Sequence, residues 1–252
     1  MKILLTLSYL GTDFCGYQIQ PKGRTVQGEL NAAAKALFGF DCDVTGCSRT
    51  DTGVHANTFC ATVTKKGEGC IETNVDISRI PLAFNAHLPQ DIAVKDARIV
   101  GDDFHPRYDV KYKEYVYRIY NSPTRSPMES GRAWHIPYAL DSEALDKMNR
   151  AAASFVGKHD FSAFMASGST VESTVRDVKY ARVEKQGDVI TFTVAADGFL
   201  YNMVRIMTGT LVDVARGKIS SDAIPEIIES CDRKRAGITA PAEGLYLNKV
   251  VY

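Results

Sequence analysis

Twice along this chain, a segment of strict apolar alternation is followed by a segment of helical period and then by further alternation. In the first round Ile3, Leu5, Leu7 and Tyr9 fall on one face of a strand, with Leu4, Thr6 and Ser8 on the other, the period of two that a strand imposes. Thr25 precedes a helix with Val26, Leu30, Ala33 and Leu37 on one stripe. Phe59, Ala61 and Val63 mark another strand, a short stretch around Pro81 is helical, and 92–99 reads as a strand again. In the second round Tyr115, Tyr117 and Ile119 alternate, and a polar loop runs over 122–131. Asp141 caps a helix carrying Leu145, Met148, Ala152 and Phe155, stopped at Gly157. A turn over 184–188 precedes alternating Ile190, Phe192 and Val194. A helix through Leu200, Val204, Met207, Leu211 and Val214 follows, then a small helix over 223–228 and a last strand over 245–252. This order predicts an α+β fold of two split-βαβ halves, ferredoxin-like or RRM-like, with antiparallel sheets side by side and a central cleft. The join near 100–108 sets the expected domains at 1–104 and 105–252.

With 252 residues, 45% of them hydrophobic, the chain has enough apolar material for a sizeable core. No apolar run reaches the roughly 20 residues of a membrane span. The opening MKILLTLSYLG is too short for a signal peptide and alternates like a strand, so a cytoplasmic protein is expected. Thirty basic and thirty acidic side chains cancel, which argues against indiscriminate polyanion binding but leaves room for a local basic groove. Six scattered cysteines and five dispersed histidines show no zinc spacing. No metal is expected, and no Gly-rich phosphate loop suggests a nucleotide cofactor.

One segment has neither period. From Gly46 to Ala56 the chain reads GCSRTDTGVHA, with an arginine, an aspartate, hydroxyls and two glycines between strands. Taken by itself it is either an Asp/Thr/Gly turn with a solvated arginine, or a lone carboxylate held by donors and able to act as nucleophile or base.

The blocks around it carry a resemblance. SRTDTGVHA resembles the catalytic signature of the TruA-type tRNA pseudouridine synthases, the anticodon stem-loop pseudouridine synthase family. SYLGTDFCGYQIQ, FHPRY followed by KEYVYRIYN, HDFSAF, FLYNMVR and APAEGLYL resemble the family's further blocks, in its order and at comparable spacings, over nearly the whole chain. Carried over residue by residue, the resemblance implies Asp51 as the essential carboxylate, Tyr115 as the active-site tyrosine and Arg205 as the partner of Asp51. Arg49 resembles the arginine that helps displace the target base. Tyr17 stands where many members carry tryptophan and Tyr108 where phenylalanine is frequent, both still aromatic. The loop over 166–173 departs from the family and leaves RNA recognition there undefined.

The implied reaction breaks the N1–C1′ bond of a uridine, turns the uracil and joins C5 to C1′, in the anticodon stem-loop of tRNA. It needs no electron carrier. A carboxylate adds either at C1′ of the sugar or at C6 of the ring, splitting one difficult step into easier ones. Burial favours the neutral acid, and the planar fork of Arg205, at the flank of its helix's apolar stripe, is suited to hold the anion. Tyr115 would stack on the uracil and help remove the C5 proton; choosing it over Tyr117 rests on the family block, not on spacing. Leu245 is a core residue that also walls the uracil pocket. Lys111, Lys113, Arg118 and Arg176 are candidate phosphate contacts, or simply solvated cations. The resemblance further implies a homodimer with one tRNA bridging both subunits. Two other readings stand beside it. One is a non-catalytic RNA-binding module, since split-βαβ sheets with exposed aromatics bind RNA. The other is an unrelated hydrolase using Asp51 as a base, for which no second placed carboxylate or Ser–His pairing is found.

Overall fold

The first alternating segment forms β1 (Lys2–Tyr9) and runs between two antiparallel neighbours in the computed structural model, which describes residues 1–168 and 171–252. Helix α1 (Val26–Phe38) follows, opened by Thr25, whose hydroxyl accepts from the Gly28 N–H, and closed at Gly39 with φ 80°, the left-handed cap that glycine takes without cost. Then come β2 (Cys42–Gly46), β3 (His55–Lys65), α2 (Ile80–Asn85) and β4 (Ile92–Val100). The strand order β4-β1-β3, with β2 on the far side of β3, is the split-βαβ arrangement expected from the element order. Ile3, Leu5, Leu7, Phe59, Ala61 and Val63 are fully buried, as are Val26, Leu30 and Phe84 from the two helices. The alternation on the strands and the stripes on the helices thus meet in one core.

The second round gives β5 (Tyr112–Asn121), β6 (Trp134–Ile136), α3 (Ser142–Ala153), β7 (Gly157–Asp160), β8 (Val175–Gln186), β9 (Val189–Ala196), α4 (Met203–Ala215) and α5 (Ile224–Ser230). Here the strand order is β7-β8-β9-β5, all antiparallel, while β6 adds to β5 in parallel. Helix α3 packs on β8 and α4. The helix expected to include Leu200 begins only at Met203, because Asn202 takes φ 60° and breaks the helical path. The last strand is β10 (Leu245–Val251).

The chain divides into two units, Met1–Lys111 with Leu247–Tyr252, and Tyr112–Tyr246. The last residues belong to the first unit through specific bonds. The Lys111 N–H donates to Val251 O (2.8 Å), the Tyr252 hydroxyl donates to Pro106 O (2.9 Å), and the Tyr252 ring lies 5.0 Å from that of Phe104. The sequence boundary at 104/105 therefore lies inside this unit. Among the described residues, no helix is long and apolar enough to cross a membrane.

Among the described residues, Tyr17 Oη and Asn31 Oδ1 are buried without a hydrogen-bond partner. Tyr17 stacks on Phe59 with ring centres 4.5 Å apart, yet its buried hydroxyl has no protein partner, and burial drives its pKa far above the usual phenol range. An unpaired buried hydroxyl costs roughly 1–3 kcal/mol. Tyr17→Phe should therefore raise the stability by about 1 kcal/mol, read as a higher urea midpoint at unchanged slope. An unchanged or lower midpoint would show that the hydroxyl is satisfied in solution.

Candidate active site

The loop that carries Asp51 begins where β2 leaves β3. The Cys47 N–H still donates to Cys60 O (2.8 Å), but the Cys60 N–H turns to Cys47 Sγ (3.4 Å) in place of a carbonyl, and the ladder ends. The loop is then held by the segment that follows β1. Pairing along β1 and β3 slips between Leu7–Phe59 and Tyr9–Ala56. Beyond that slip the Tyr9 hydroxyl shares a hydrogen bond with the Thr50 hydroxyl (2.8 Å). The Tyr17 N–H donates to Thr50 O (3.1 Å), and the Gly53 N–H donates to Phe14 O (3.4 Å). The Val54 N–H donates to Asp51 O (3.1 Å) and closes a turn with Asp51 at its start.

Two glycines allow this approach. A Cβ on Gly16, which has φ 87°, would lie 2.6 Å from Thr50 O, and a Cβ on Gly11 would lie 2.0 Å from Val54 O. His55, with no exposed surface, accepts from the Gly11 N–H at Nδ1 (2.9 Å). That bond places any single ring proton on Nε2. His55 is thus part of the interlock, a role that its place in the motif did not reveal. Asp51 is half-buried at the rim of this structure, and Arg49, two residues earlier, is exposed.

The second unit presents the other residues. Tyr115 lies on β5 opposite Val194 of β9, 7% exposed, with the Phe199 ring edge-on at 4.9 Å. Phe199 had not been singled out from the sequence, because an aromatic at the start of a periodic segment looks like any core residue. Tyr117, two positions along the same face, is fully buried and donates its hydroxyl to Pro241 O (2.6 Å). Burial pushes its pKa far up. With no exposed surface and its hydroxyl occupied, Tyr117 is a satisfied core residue, which the shared alternation of the two tyrosines does not show.

Arg205 is the third residue of α4, half-buried. Its Nε donates to Ala240 O (2.7 Å) and its Nη1 to Asn202 Oδ1 (2.7 Å), while the Ala240 N–H returns a bond to Arg205 O (3.1 Å). Two bonds in different directions fix the plane of the guanidinium. Leu245 is 7% exposed at the start of β10, directly after Gly244, where an added Cβ would meet the Tyr117 ring at 2.6 Å.

The basic candidates fall into different settings. Lys111 is exposed, whereas Lys113 is only 9% exposed. Arg118 pairs with both carboxylate oxygens of Glu129 (3.2 and 3.0 Å). Arg176 donates from Nη1 to Ser173 O and Val175 O (2.9 and 2.6 Å) and lies along Gly198. Of the divergent loop over 166–173, Ser169 and Thr170 lie outside the described residues. Among the described residues, no group of three or more His, Cys, Asp or Glu is placed to hold a metal ion.

Comparison with known proteins agrees with the residue blocks. A family model described as tRNA pseudouridine synthase matches residues 6–109 and 151–252. The chain belongs to the tRNA pseudouridine synthase family. It is 46% identical over 251 residues to tRNA pseudouridine synthase A of Acetivibrio thermocellus, covering 99% of both chains. It is 43% identical over 250 residues to the protein of that name from a Thermoanaerobacter species, again covering 99% of both. With the Staphylococcus aureus protein it shares 40% identity over 250 residues, covering 99% of this chain and 90% of that one. A solved structure of a Cbf5–Nop10–Gar1 complex is similar at TM-score 0.38 and 13% identity, covering 97% of this chain and 48% of that one, a likeness too weak to carry argument. Membership makes the chain an isomerase rather than a passive RNA-binding module.

The interlock around Asp51 makes a stability prediction independent of chemistry. Gly11→Ala drives a methyl group into the backbone at Val54 O, which no side-chain rotation relieves. The expected cost is about 1–3 kcal/mol, measured by urea unfolding. A variant as stable as the parent would show that the two loops are not tightly apposed.

Proposed function

We propose that this member of the family converts uridine to pseudouridine in the anticodon stem-loop of tRNA, with Asp51 as the catalytic carboxylate. The observation that carries the reading is the signature Ser48–Ala56 set on a braced loop, together with full-length similarity to proteins named tRNA pseudouridine synthase A. The reaction is an isomerisation: one glycosidic bond is exchanged for another within a single nucleotide, and the hydrogen on C5 moves to N1 through solvent. No redox equivalent or transferred group enters the balance, so the chemistry calls for positioned side chains and no cofactor.

Asp51 attacks either C1′ or C6, and in both cases it must be an anion. Arg205 supplies the cation that keeps it so, and the fixed plane of its guanidinium supports the assignment, because a pre-oriented fork loses little entropy on pairing. Tyr115 stacks on the uracil and assists loss of the C5 proton; its orientation by Phe199 supports this role. Leu245 walls the uracil pocket. The target base leaves its stack at a cost of a few kcal/mol, and the exposed Arg49 assists that displacement. Lys111, Lys113, Arg118 and Arg176 are assigned to phosphates. The burial of Lys113 and the ion pair of Arg118 make Lys111 and Arg176 the better supported of the four. The working form is a cytoplasmic homodimer with one tRNA bridging both subunits, since a single small protomer of zero net charge offers limited basic surface for a whole tRNA.

Two variants test the assignment. tRNA tritiated at C5 of uracil should release label to water with the parent protein. Asp51→Asn, nearly isosteric but without the anionic oxygen, should bind tRNA and release none. A parent that releases no tritium from any tRNA removes the activity, and an Asn variant that releases it at the parent rate moves the chemistry to another residue. Arg205→Lys keeps the charge and loses the fork, so turnover should fall on the order of 100-fold with the fold intact. Undiminished turnover would take Arg205 out of the site.

A further inference from the structure

Between β4 and β5 the chain makes a tight turn, Phe104–Asp109, with a structure out of proportion to a simple connection. The Tyr108 and Asp109 N–H groups both donate to His105 O (3.2 and 3.1 Å), the His105 N–H donates to Asp109 Oδ2 (2.9 Å), and the Arg107 N–H donates to His105 Nδ1 (3.1 Å). The turn is anchored beneath: Pro106 is buried and its carbonyl accepts from Tyr252, while Lys2 Nζ donates to Asp102 O and Phe104 O (2.6 and 3.0 Å). On this base the Tyr108 ring stacks on the His105 ring, centres 4.2 Å apart and planes at 29°, yet Tyr108 is 75% exposed. A large aromatic ring held rigidly in water forfeits apolar burial.

We propose that the His105–Tyr108 pair is a platform on which an unstacked base of the RNA substrate stacks. The inference rests on the functional reading above and adds a contact outside the catalytic residues. Its chemistry is specific. The bond from Arg107 to Nδ1 keeps that nitrogen an acceptor, and burial together with Arg107 lowers the affinity of the ring for a second proton. His105 therefore backs the tyrosine as a neutral aromatic plane. Arg107 and Lys2 lie nearby, but Asp102, Asp103 and Asp109 balance them, so attraction to phosphates is not what the turn itself offers. It offers a flat π-face, already ordered, to a flat π-face, the contact by which RNA-binding proteins hold extruded or single-stranded bases. Little entropy is lost because the ring is fixed before binding.

The test is equilibrium binding of the full chain to a tRNA transcript across a series of salt concentrations. Tyr108→Ala should weaken binding about 10-fold, the loss of one base–aromatic stack, without changing the slope of affinity against salt, since no phosphate contact is removed. Tyr108→Phe and Tyr108→Trp should hold parental affinity. An unchanged urea midpoint for the Ala variant confirms that the fold is untouched. Three results would each overturn the platform: unchanged affinity in the Ala variant, equal loss in the Phe variant, or an Ala variant whose sedimentation shows a dissociated oligomer, which would assign the ring to a second copy of the chain. Tritium release separates the two readings. A parent that releases label, paired with an Ala variant of full affinity, sinks the platform alone. A parent that binds but releases none sinks the isomerase alone, and one that binds no tRNA sinks both.

Discussion

Much of the first unit is arranged around the contact of Gly11 with the carbonyl of Val54. A loop carrying a half-buried carboxylate is a poor structure by itself: it has few apolar side chains, several hydroxyls and a backbone that β2 has stopped pairing. It becomes definite because a second loop, the continuation of the central strand, is pressed against it. Tyr9 and Tyr17 bind Thr50 from that side, Phe14 receives the Gly53 N–H, and the buried ring of His55 receives the Gly11 N–H. Each bond is individually worth about 1 kcal/mol. Together they leave the residue before Asp51 no alternative position, which is what the proposed role of Asp51 as a nucleophile requires.

The same principle is carried out differently for the arginine. A guanidinium on a helix flank has several rotatable bonds and ordinarily snorkels. Arg205 is held because the chain before α4 makes a left-handed turn at Asn202, whose side-chain Oδ1 accepts from Nη1, while the segment through Ala240 returns to take Nε. One loop fixes one side of the group, and a second, some 35 residues later in the chain, fixes the other.

The sequence disclosed what depends on local period. The alternation of Ile3, Leu5 and Leu7 and the stripe of Val26, Leu30 and Ala33 reappear in the core, and the helix starts directly after Thr25. The fold class follows from their order. What could not be read depends on partners distant in the chain. β2 and β7 are too short to show a period, and β6 forms because β5 offers an edge to it. The attachment of Tyr252 to Pro106 spans the whole second round of the fold. In the proposed site, the SRTDTGVHA block led to Asp51 and the FLYNMVR block to Arg205 by resemblance. The burial of Lys113, the ion pair of Arg118, the occupied hydroxyl of Tyr117 and the ring of Phe199 are facts of packing that leave no trace in spacing.

Asn202 shows how this division bears on function. Left-handed backbone costs a residue with a side chain about 1 kcal/mol, less for asparagine than for most others. A chain selected for helix stability alone would place glycine there, or extend α4 back through Leu200, whose position fits the apolar stripe. Glycine would relieve the strain but lose the oxygen that holds Arg205, and an extended helix would carry the Phe199 ring away from Tyr115. Asn202 and Cys231 are the left-handed non-glycine residues among those described, and at Asn202 the break supplies the oxygen that holds Arg205, three residues after the ring that packs on Tyr115. A departure from local preference persists where the surrounding contacts over-determine it, and at Asn202 the contact that does so is the one it makes with Arg205.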